Sequence, residues 1–366
     1  MKETYIFGAK ATAAGLYKAL SLLESEKNIE AFLVSDTAGN VPEIWGVPVK
    51  AISSVAAELS EDEKKEALVY AAVPELVHAE IRELLEGYGF SNLVMLDSKL
   101  EADLMGQYFE AEGKFRSVHG LNAEAEVSVP NLTIYAASFY KDKPLNNLPV
   151  LSDYYKKLYL GCAGAEKAGV DIKGQADFYD NEGDNISDKN PNRCEMTAHY
   201  WVWKNRLENS SDDYVGICHY RRILDLSDED LKKMVANDVD VVLPYPMIHY
   251  PNSAIQHTWY VAEKEWELTK RVVAEIYSEY GKCFDEVFNA PEFYNYNMLV
   301  AKKDVFADYC AWLYPILDRI EEISEPKGAG RRDRYTAYLS ESLETLYFMA
   351  NLKNLKIYHT GRLLFT

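Results

Sequence analysis

The sequence is short of positive charge. Among 366 residues, 39 are basic and 58 acidic, so the formal net charge is −19 at pH 7. Such a chain repels the phosphate backbone and has no broad basic face for an anionic membrane, which argues against nucleic acid as a partner. The acidity is concentrated near the N-terminus, where residues 1–115 carry 10 basic and 20 acidic side chains, a net of −10.

Cysteines and long apolar runs are also scarce. The five cysteines are an odd number, widely spread and without a CxxC pair. This pattern argues against a disulfide framework or a zinc site and favours free thiols in a reducing compartment. No apolar run approaches the roughly 18 residues of a spanning helix, and the first residues do not read as a signal peptide. We therefore expect a cytoplasmic protein.

Aromatic residues, in contrast, are plentiful, with 27 Tyr and 6 Trp. These side chains combine an apolar face with a polar edge, which suits polar ligands such as sugars as well as protein cores.

Short β-rich runs alternate with helical stretches through the first third of the chain. This alternation predicts an α/β fold with a right-handed, doubly wound parallel sheet. Periodicity is lost near residue 112 and a strong strand starts after Pro130. We predict a Rossmann-like nucleotide-fold domain at 1–112, a linker at 113–130 and a second α/β domain at 131–366.

The first strand-to-helix turn is where such sheets bind phosphates. It begins at Gly8, but Lys10 stands where a second glycine would let the backbone approach a pyrophosphate. Asp36 lies where a ribose-binding acid would follow the second strand. Gly8, Lys10 and Asp36 are thus a candidate nucleotide site with an incomplete fingerprint, and docking of a partner is the alternative.

In the second domain, residues 180–191 are rich in Asp, Asn and Gly, which predicts a loop. Asp180 and Asp184 offer two carboxylates to a divalent cation, although the spacing of an EF-hand is absent. They are the candidate metal ligands, for Mn²⁺ or Mg²⁺, in a chain that otherwise requires no cofactor. The alternative is a solvated loop whose side chains cap its own backbone amides.

The strand at 213–218 ends in His219, Tyr220, Arg221 and Arg222. Open α/β sheets bind ligands at the carboxyl ends of their strands. Adjacent arginines offer planar donor forks to a diphosphate. This segment therefore predicts a binding site, with surface ion pairs as the alternative.

Five sequence blocks follow one another through the second domain: DNEGDNISDKN, CEMTAHYWVWKN, YVGICHYRRIL, FYNYNMLVAKKDVFADYCAWLYPILDRIE and RYTAYLSESL. Over residues 132–360 they resemble the bacterial capsular and exopolysaccharide biosynthesis family called domain of unknown function 4422. The resemblance implies a GT-A-like glycosyltransferase that transfers a sugar, with galactose and galactofuranose among the suggested ones, from a UDP-linked donor to a growing surface polysaccharide. Ser342 departs from the family, whose members often have Arg after the glutamate.

The resemblance also implies roles for individual residues. GT-A enzymes usually neutralise the leaving diphosphate with a metal, and here Arg221 and Arg222 would replace or assist it. An inverting enzyme needs a carboxylate base, and the sequence leaves three candidates open: Glu341, Asp184 and Glu195. Donor contacts are predicted for His219, Tyr220, Arg221, Arg222 and Arg334, and substrate contacts for Asn185, His257, Asn295 and Asn297, because imidazoles and amides suit sugar hydroxyls.

The implied partners are a nucleotide-sugar donor and a saccharide or lipid-linked saccharide acceptor. Contact with the inner face of the cell membrane would be peripheral or through other biosynthesis proteins. Two alternatives stay open. A non-catalytic binding or assembly module is favoured by the incomplete turn at Gly8, and an NAD-dependent sugar-nucleotide oxidoreductase would need the fingerprint that Lys10 disrupts.

Overall fold

The computed structural model describes residues 3–123, 126–145, 147, 149–208, 210–324 and 331–366, with only the backbone of 331 and 332. Residues 124 and 125 of the predicted linker lie outside this part. The chain forms two compact units. The first comprises Met1–Phe115, Tyr245–Ile255 and Pro291–Phe293, and the second comprises Arg116–Pro244, Gln256–Ala290 and Tyr294–Thr366.

The first unit is built around a six-stranded sheet. Its elements within residues 1–115 are β1 (Thr4–Phe7), α1 (Ala11–Leu23), β2 (Ile29–Val34), β3 (Glu43–Ile44), β4 (Val47–Ala51), α2 (Ile52–Glu58), α3 (Glu61–Glu66), β5 (Leu68–Ala71), α4 (His78–Gly87), β6 (Asn92–Met95) and α5 (Ser98–Glu112). The strand order is β3-β4-β2-β1-β5-β6, and all neighbours are parallel except the β3–β4 pair. The predicted Rossmann-like parallel sheet is confirmed.

Small and apolar residues explain how the helices of this unit pack on its sheet. On α1, Ala13, Leu16 and Leu20 are buried against Ile6 and Phe32 of the central strands. These positions recur at helical spacing, so one face of the helix meets the sheet. A 3₁₀ turn at Glu75–Val77 directly precedes α4.

The rest of the chain contains the elements β7 (Leu132–Phe139), β8 (Tyr155–Leu160), α6 (Cys162–Lys167), β9 (Phe178–Tyr179), α7 (Asn190–Arg193), α8 (Met196–Asn205), β10 (Tyr214–His219), β11 (Arg222–Leu224), α9 (Asp228–Ala236), β12 (Val241–Pro244), β13 (Met247–Ile248), α10 (His257–Tyr260), α11 (Glu263–Ile276), α12 (Ser278–Asn289), β14 (Glu292–Phe293), β15 (Leu299–Lys302), α13 (Lys303–Ile323), α14 (Tyr335–Ala350), β16 (Ile357–Thr360) and β17 (Arg362–Leu364). Of these, the antiparallel pair β13–β14 belongs to the first unit.

The main sheet of the second unit has the order β16-β12-β15-β10-β7-β8-β9. Only β15 runs antiparallel to its neighbours along this path, since it pairs antiparallel with β10 and β12. From β7 the chain first proceeds to β8 and β9 on one side and then returns to β10 on the other. The strand order therefore reverses between β7 and β10, which is where open α/β sheets bind ligands.

Burial accounts for the central position of β10. Its residues Tyr214–Cys218 are all buried, and Gly216 has no side chain because a Cβ there would lie 2.8 Å from Val300 Cγ2. The strand ends where the first polar side chain, His219, follows this apolar run. Among the helices that the structure describes, none is both long enough and apolar enough to cross a membrane.

Candidate active site

The polar segment after β10 lies over the end of β7. His219 pairs with Ala137 in the parallel register, and the Tyr220 amide donates a hydrogen bond of 2.9 Å to the Ala137 carbonyl. His219 also pairs antiparallel with Arg222, so Tyr220 and Arg221 form the tip of a tight turn into β11. The turn thus presents four polar side chains at the carboxyl end of the sheet.

Positive charge is concentrated around the ring of Tyr296. The Arg222 guanidinium lies 4.5 Å from the ring centroid and that of Arg362 lies 4.8 Å away. Burial lowers the pKa of Arg222, and the positive charges of Arg221 and Arg362 lower it further. A bound anion would relieve this mutual repulsion, so the cluster is suited to a phosphate group.

His219 is held in one orientation by the backbone of Tyr296. Its Nε2 lies 2.7 Å from the Tyr296 carbonyl, and because a carbonyl only accepts, Nε2 must carry the proton. Nδ1 then faces the Glu195 carboxylate at 3.7 Å. Burial lowers the pKa of His219, while Glu195 opposes that effect. The imidazole is therefore fixed with its Nε2–H towards the Tyr296 carbonyl and its Nδ1 towards a carboxylate.

Two consecutive residues with positive φ shape the loop that orients His219. Tyr296 has φ 79° and Asn297 has φ 49°. Asn tolerates this left-handed region, but a bulky Tyr adopts it at a cost in energy, and such strain concentrates at functional sites. The bend turns the Tyr296 carbonyl towards His219 and its amide towards Glu341.

Glu341 lines the cavity from α14. Its Oε1 accepts a hydrogen bond of 3.2 Å from the Tyr296 amide, and its Oε2 accepts one of 3.2 Å from the Gln256 side chain. Burial, together with the negative charge of Glu195, raises the pKa of Glu341 to about 8. A carboxyl that titrates near neutral pH is suited to proton transfer.

These side chains surround a cavity of about 410 Å³. Seven of the residues that the sequence indicated line it: His219, Tyr220, Arg221, Arg222, Arg334, Glu195 and Glu341. Among the polar or aromatic lining residues that escaped sequence reasoning are Asp142, Tyr296 and Tyr338. For Asp142 the signal was available, because it follows the end of β7 just as the His219–Arg222 segment follows the end of β10.

A second cavity of about 610 Å³ adjoins the first. The two share Ser138, Phe139, Asp142 and Tyr220 as lining residues, so they are contiguous at the end of β7. The second cavity adds three lysines to its lining: Lys143, Lys156 and Lys157. Its lining also includes Asp142, Asp153 and Asp177, so acidic and basic side chains are both present there.

The structure does not bring the candidate metal ligands Asp180 and Asp184 together. Asp180 is fully buried, and its carboxylate accepts hydrogen bonds from the Gly161 amide (2.8 Å), the Cys162 amide (3.0 Å) and Ser187 Oγ (2.5 Å). Asp184 is exposed and accepts from Tyr200 at 3.1 Å. Asp180 thus accepts hydrogen bonds from backbone amides at the start of α6, as in the alternative in which the side chains of the loop cap backbone amides.

Replacing Asp180 with alanine should destabilise the protein by about 3 kcal/mol, because two buried amides and a hydroxyl lose a charged acceptor. For a unit of this size we expect the melting temperature to fall by about 10 °C. Asp184→Ala is the matched control, with an expected change within about 0.5 kcal/mol. Thermal melts with and without Mn²⁺ measure both effects. Stabilisation of the wild type by Mn²⁺ that Asp180→Ala abolishes would contradict this account.

The remaining candidate substrate contacts lie outside the lining of the first cavity. Asn185 donates to the carbonyls of Asn181 and Gly183 within its own loop. His257 is buried and stacks on Trp266, with ring centroids 4.4 Å apart. Asn295 and Asn297 flank Tyr296, so they belong to the loop that contacts Glu341 rather than to the cavity wall.

The candidate nucleotide residues of the first unit serve local structure. Gly8 has φ 126°, and a Cβ there would lie 2.6 Å from the Ala72 carbonyl oxygen, which explains the glycine. Lys10 is exposed at the N-cap of α1 without capping it through its side chain. Asp36 accepts a hydrogen bond from the Ala38 amide at 2.9 Å. The turn has the glycine that close packing requires but not the second one that a pyrophosphate requires.

No group of three or more His, Cys, Asp or Glu side chains that could hold a metal is found among the residues described above. The end of β10 carries Arg221 and Arg222 at the position where the resemblance implied a metal. The same cavity is also lined by the carboxylates Asp142, Glu195 and Glu341, so binding of Mn²⁺ or Mg²⁺ stays a prediction.

A comparison with solved structures indicates the class of protein that this chain resembles. The chain is similar to the bifunctional glycosyltransferase WbbM in its apo structure, with 26% sequence identity and a TM-score of 0.53 over 64% of this chain. The match spans only 45% of the WbbM chain. This likeness confirms the predicted fold class, a Rossmann-like unit followed by a GT-A-like α/β unit of glycosyltransferase type.

Residues 140–352 match the family described as domain of unknown function DUF4422, which is more than half of the chain. The protein belongs to this family, as the sequence blocks indicated. No curated protein matches the chain.

Proposed function

We propose that the second unit transfers a sugar from a UDP-linked donor, with galactose or galactofuranose as the first candidates, to a growing surface polysaccharide. The observation that supports this most is the placement of Arg221 and Arg222 in one cavity with Glu341, at the reversal point of the sheet. A sugar transfer needs both an electrostatic partner for the departing diphosphate and a base for the incoming hydroxyl.

The paired cavities suggest how the donor lies. Each has a volume typical of small-molecule sites, about 300–1,000 Å³. The nucleoside would occupy the second cavity near Tyr155 and Lys157, with the diphosphate at the shared boundary beside Tyr220 and Arg221. The sugar would then extend into the first cavity towards Glu341.

Glu341 is the proposed base. When it is deprotonated, its raised pKa gives it a strong affinity for the proton of an acceptor hydroxyl. Glu195, which lies beside His219 in the same cavity, would hold developing positive charge on the sugar. Asp184 has no part in this arrangement, since it does not line the cavity.

EDTA should leave transfer intact, because arginines rather than a metal stabilise the departing diphosphate. Initial rates of UDP release, measured after EDTA treatment with and without added Mn²⁺, test this expectation. Loss of activity in EDTA that Mn²⁺ restores would contradict it.

Thermal shifts with nucleotides test the function itself. We expect UDP-sugars to stabilise the protein more than GDP- or CMP-sugars, with no added effect of NAD. Stabilisation by NAD alone would favour the oxidoreductase alternative, and stabilisation by none of these would favour a non-catalytic binding or assembly module. A lipid-linked acceptor would place the protein peripherally at a membrane or beside other biosynthesis proteins.

A further inference from the structure

An aromatic ledge lies beside the proposed transfer site. It consists of Trp259 and Tyr260 at the end of α10 and Tyr338 on α14. The Tyr260 and Tyr338 rings stack with centroids 4.5 Å apart at 17°, and Trp259 meets Tyr260 edge-on at 6.4 Å. Trp259 is 39% exposed. Trp259 is the exposed member of the ledge, and Tyr260 and Tyr338 are half-buried.

The ledge is continuous with the cavity through α14. Arg334, Tyr338 and Glu341 all line the cavity and follow one another at helical spacing, so they share one face of the helix. Tyr338 is less than one turn, about 4.5 Å of helix rise, from Glu341. A molecule that lies on Tyr338 therefore reaches the proposed base.

We propose that this ledge is the acceptor subsite and that it takes a saccharide. The proposal rests on the proposed function of the cavity. The carbon-bound hydrogens on one face of a sugar ring pack on aromatic rings, while its hydroxyls need polar partners at the rim. Here the rings are those of Tyr338 and Trp259, and Arg334 supplies the polar partner.

Position distinguishes this subsite from that of the donor. None of Trp259, Tyr260 and Tyr338 lines the lysine-rich second cavity, which shares its boundary with the first at Ser138 and Tyr220 instead. A donor that enters past the lysines and an acceptor that enters over the ledge would meet between Arg221 and Glu341.

Steady-state kinetics with methyl and octyl hexopyranosides as acceptors test the ledge. We expect Trp259→Ala and Tyr338→Ala each to raise the KM for the acceptor about tenfold, with the KM for the UDP-sugar changed less than about twofold. Tyr338→Phe retains the ring and should keep the wild-type KM. Equal effects on methyl and octyl glycosides would show that the saccharide itself is bound, whereas an effect confined to the octyl series would show a lipid site and overturn the proposal.

Saturation-transfer NMR without a donor separates this proposal from the proposed function. The methyl glycosides should receive saturation from the wild type and lose it in Trp259→Ala and Tyr338→Ala. If the alanine variants retain it, or if the wild type transfers none, the ledge is not a saccharide site. Nucleotide binding in thermal-shift experiments would be unaffected by either outcome, so a failure of the proposed function would be seen separately.

Discussion

Replacing Arg221 and Arg222 together with alanine should lower the turnover of sugar transfer about 10³-fold. Both side chains line the cavity at the tip of the turn after β10, and the Arg222 guanidinium is already crowded by Arg221 and Arg362. Their charges are held in place before the diphosphate leaves, which is the arrangement that stabilises a departing anion most.

A matched arginine provides the control for this variant. Arg319 is on the surface of α13, where it pairs with Glu322 at 2.7 Å, away from the cavity lining. Arg319→Ala should keep wild-type turnover, and both proteins should melt within a few degrees of the wild type. Near-normal turnover in the double variant would show that the leaving group is stabilised elsewhere.

Glu341→Gln should lower kcat about 10³-fold and remove the dependence of the rate on pH around neutrality. The pKa of Glu341 is raised to about 8, so the carboxyl is largely protonated at pH 6 and cannot accept a proton there. As the pH rises through about 8, the carboxylate forms and the wild-type rate should rise to a plateau. Glutamine keeps the hydrogen bond from the Tyr296 amide but has no basic form.

Glu195→Gln is the decisive comparison, since Glu195 lines the same cavity. We expect this variant to be slower and to keep the rise, shifted to lower pH because the negative charge of Glu195 no longer raises the pKa of Glu341. Rates measured from pH 5.5 to 9.5 for the wild type and both variants reveal the difference. If the rise disappears in Glu195→Gln and persists in Glu341→Gln, the base is Glu195. Glu322→Gln, an exposed carboxyl on α13, serves as the neutral control.

The site could be predicted from the sequence because a run of apolar residues is followed abruptly by polar and charged ones. The apolar run of β10 ends in His219–Arg222, and parallel strands bind ligands at that end, so the position could be predicted from the pattern alone. Tyr296 could not be found in this way. Its contribution comes from its backbone carbonyl and amide, which contact His219 and Glu341 only once a bend with positive φ has formed.

Asp180 shows the opposite case. The sequence pattern suggested a metal ligand, but in the structure the residue accepts hydrogen bonds from the backbone. In the sequence, two acids in a polar loop have the same appearance whether they bind a metal or accept hydrogen bonds from the backbone. Tertiary structure decides between these, because Asp180 is buried against the amides of Gly161 and Cys162 while Asp184 faces solvent. The same is true of His257, whose ring stacks on Trp266.

The central claim is that the cavity at the ends of β7 and β10 binds a nucleoside diphosphate through its arginines. Isothermal titration of UDP into the wild type, the Arg221→Ala Arg222→Ala double variant and Arg319→Ala tests it without any knowledge of the acceptor. We expect one site per chain in the wild type and in Arg319→Ala, and binding at least about 30-fold weaker in the double variant. UDP binding of equal strength in all three proteins, or none in the wild type, would contradict the claim.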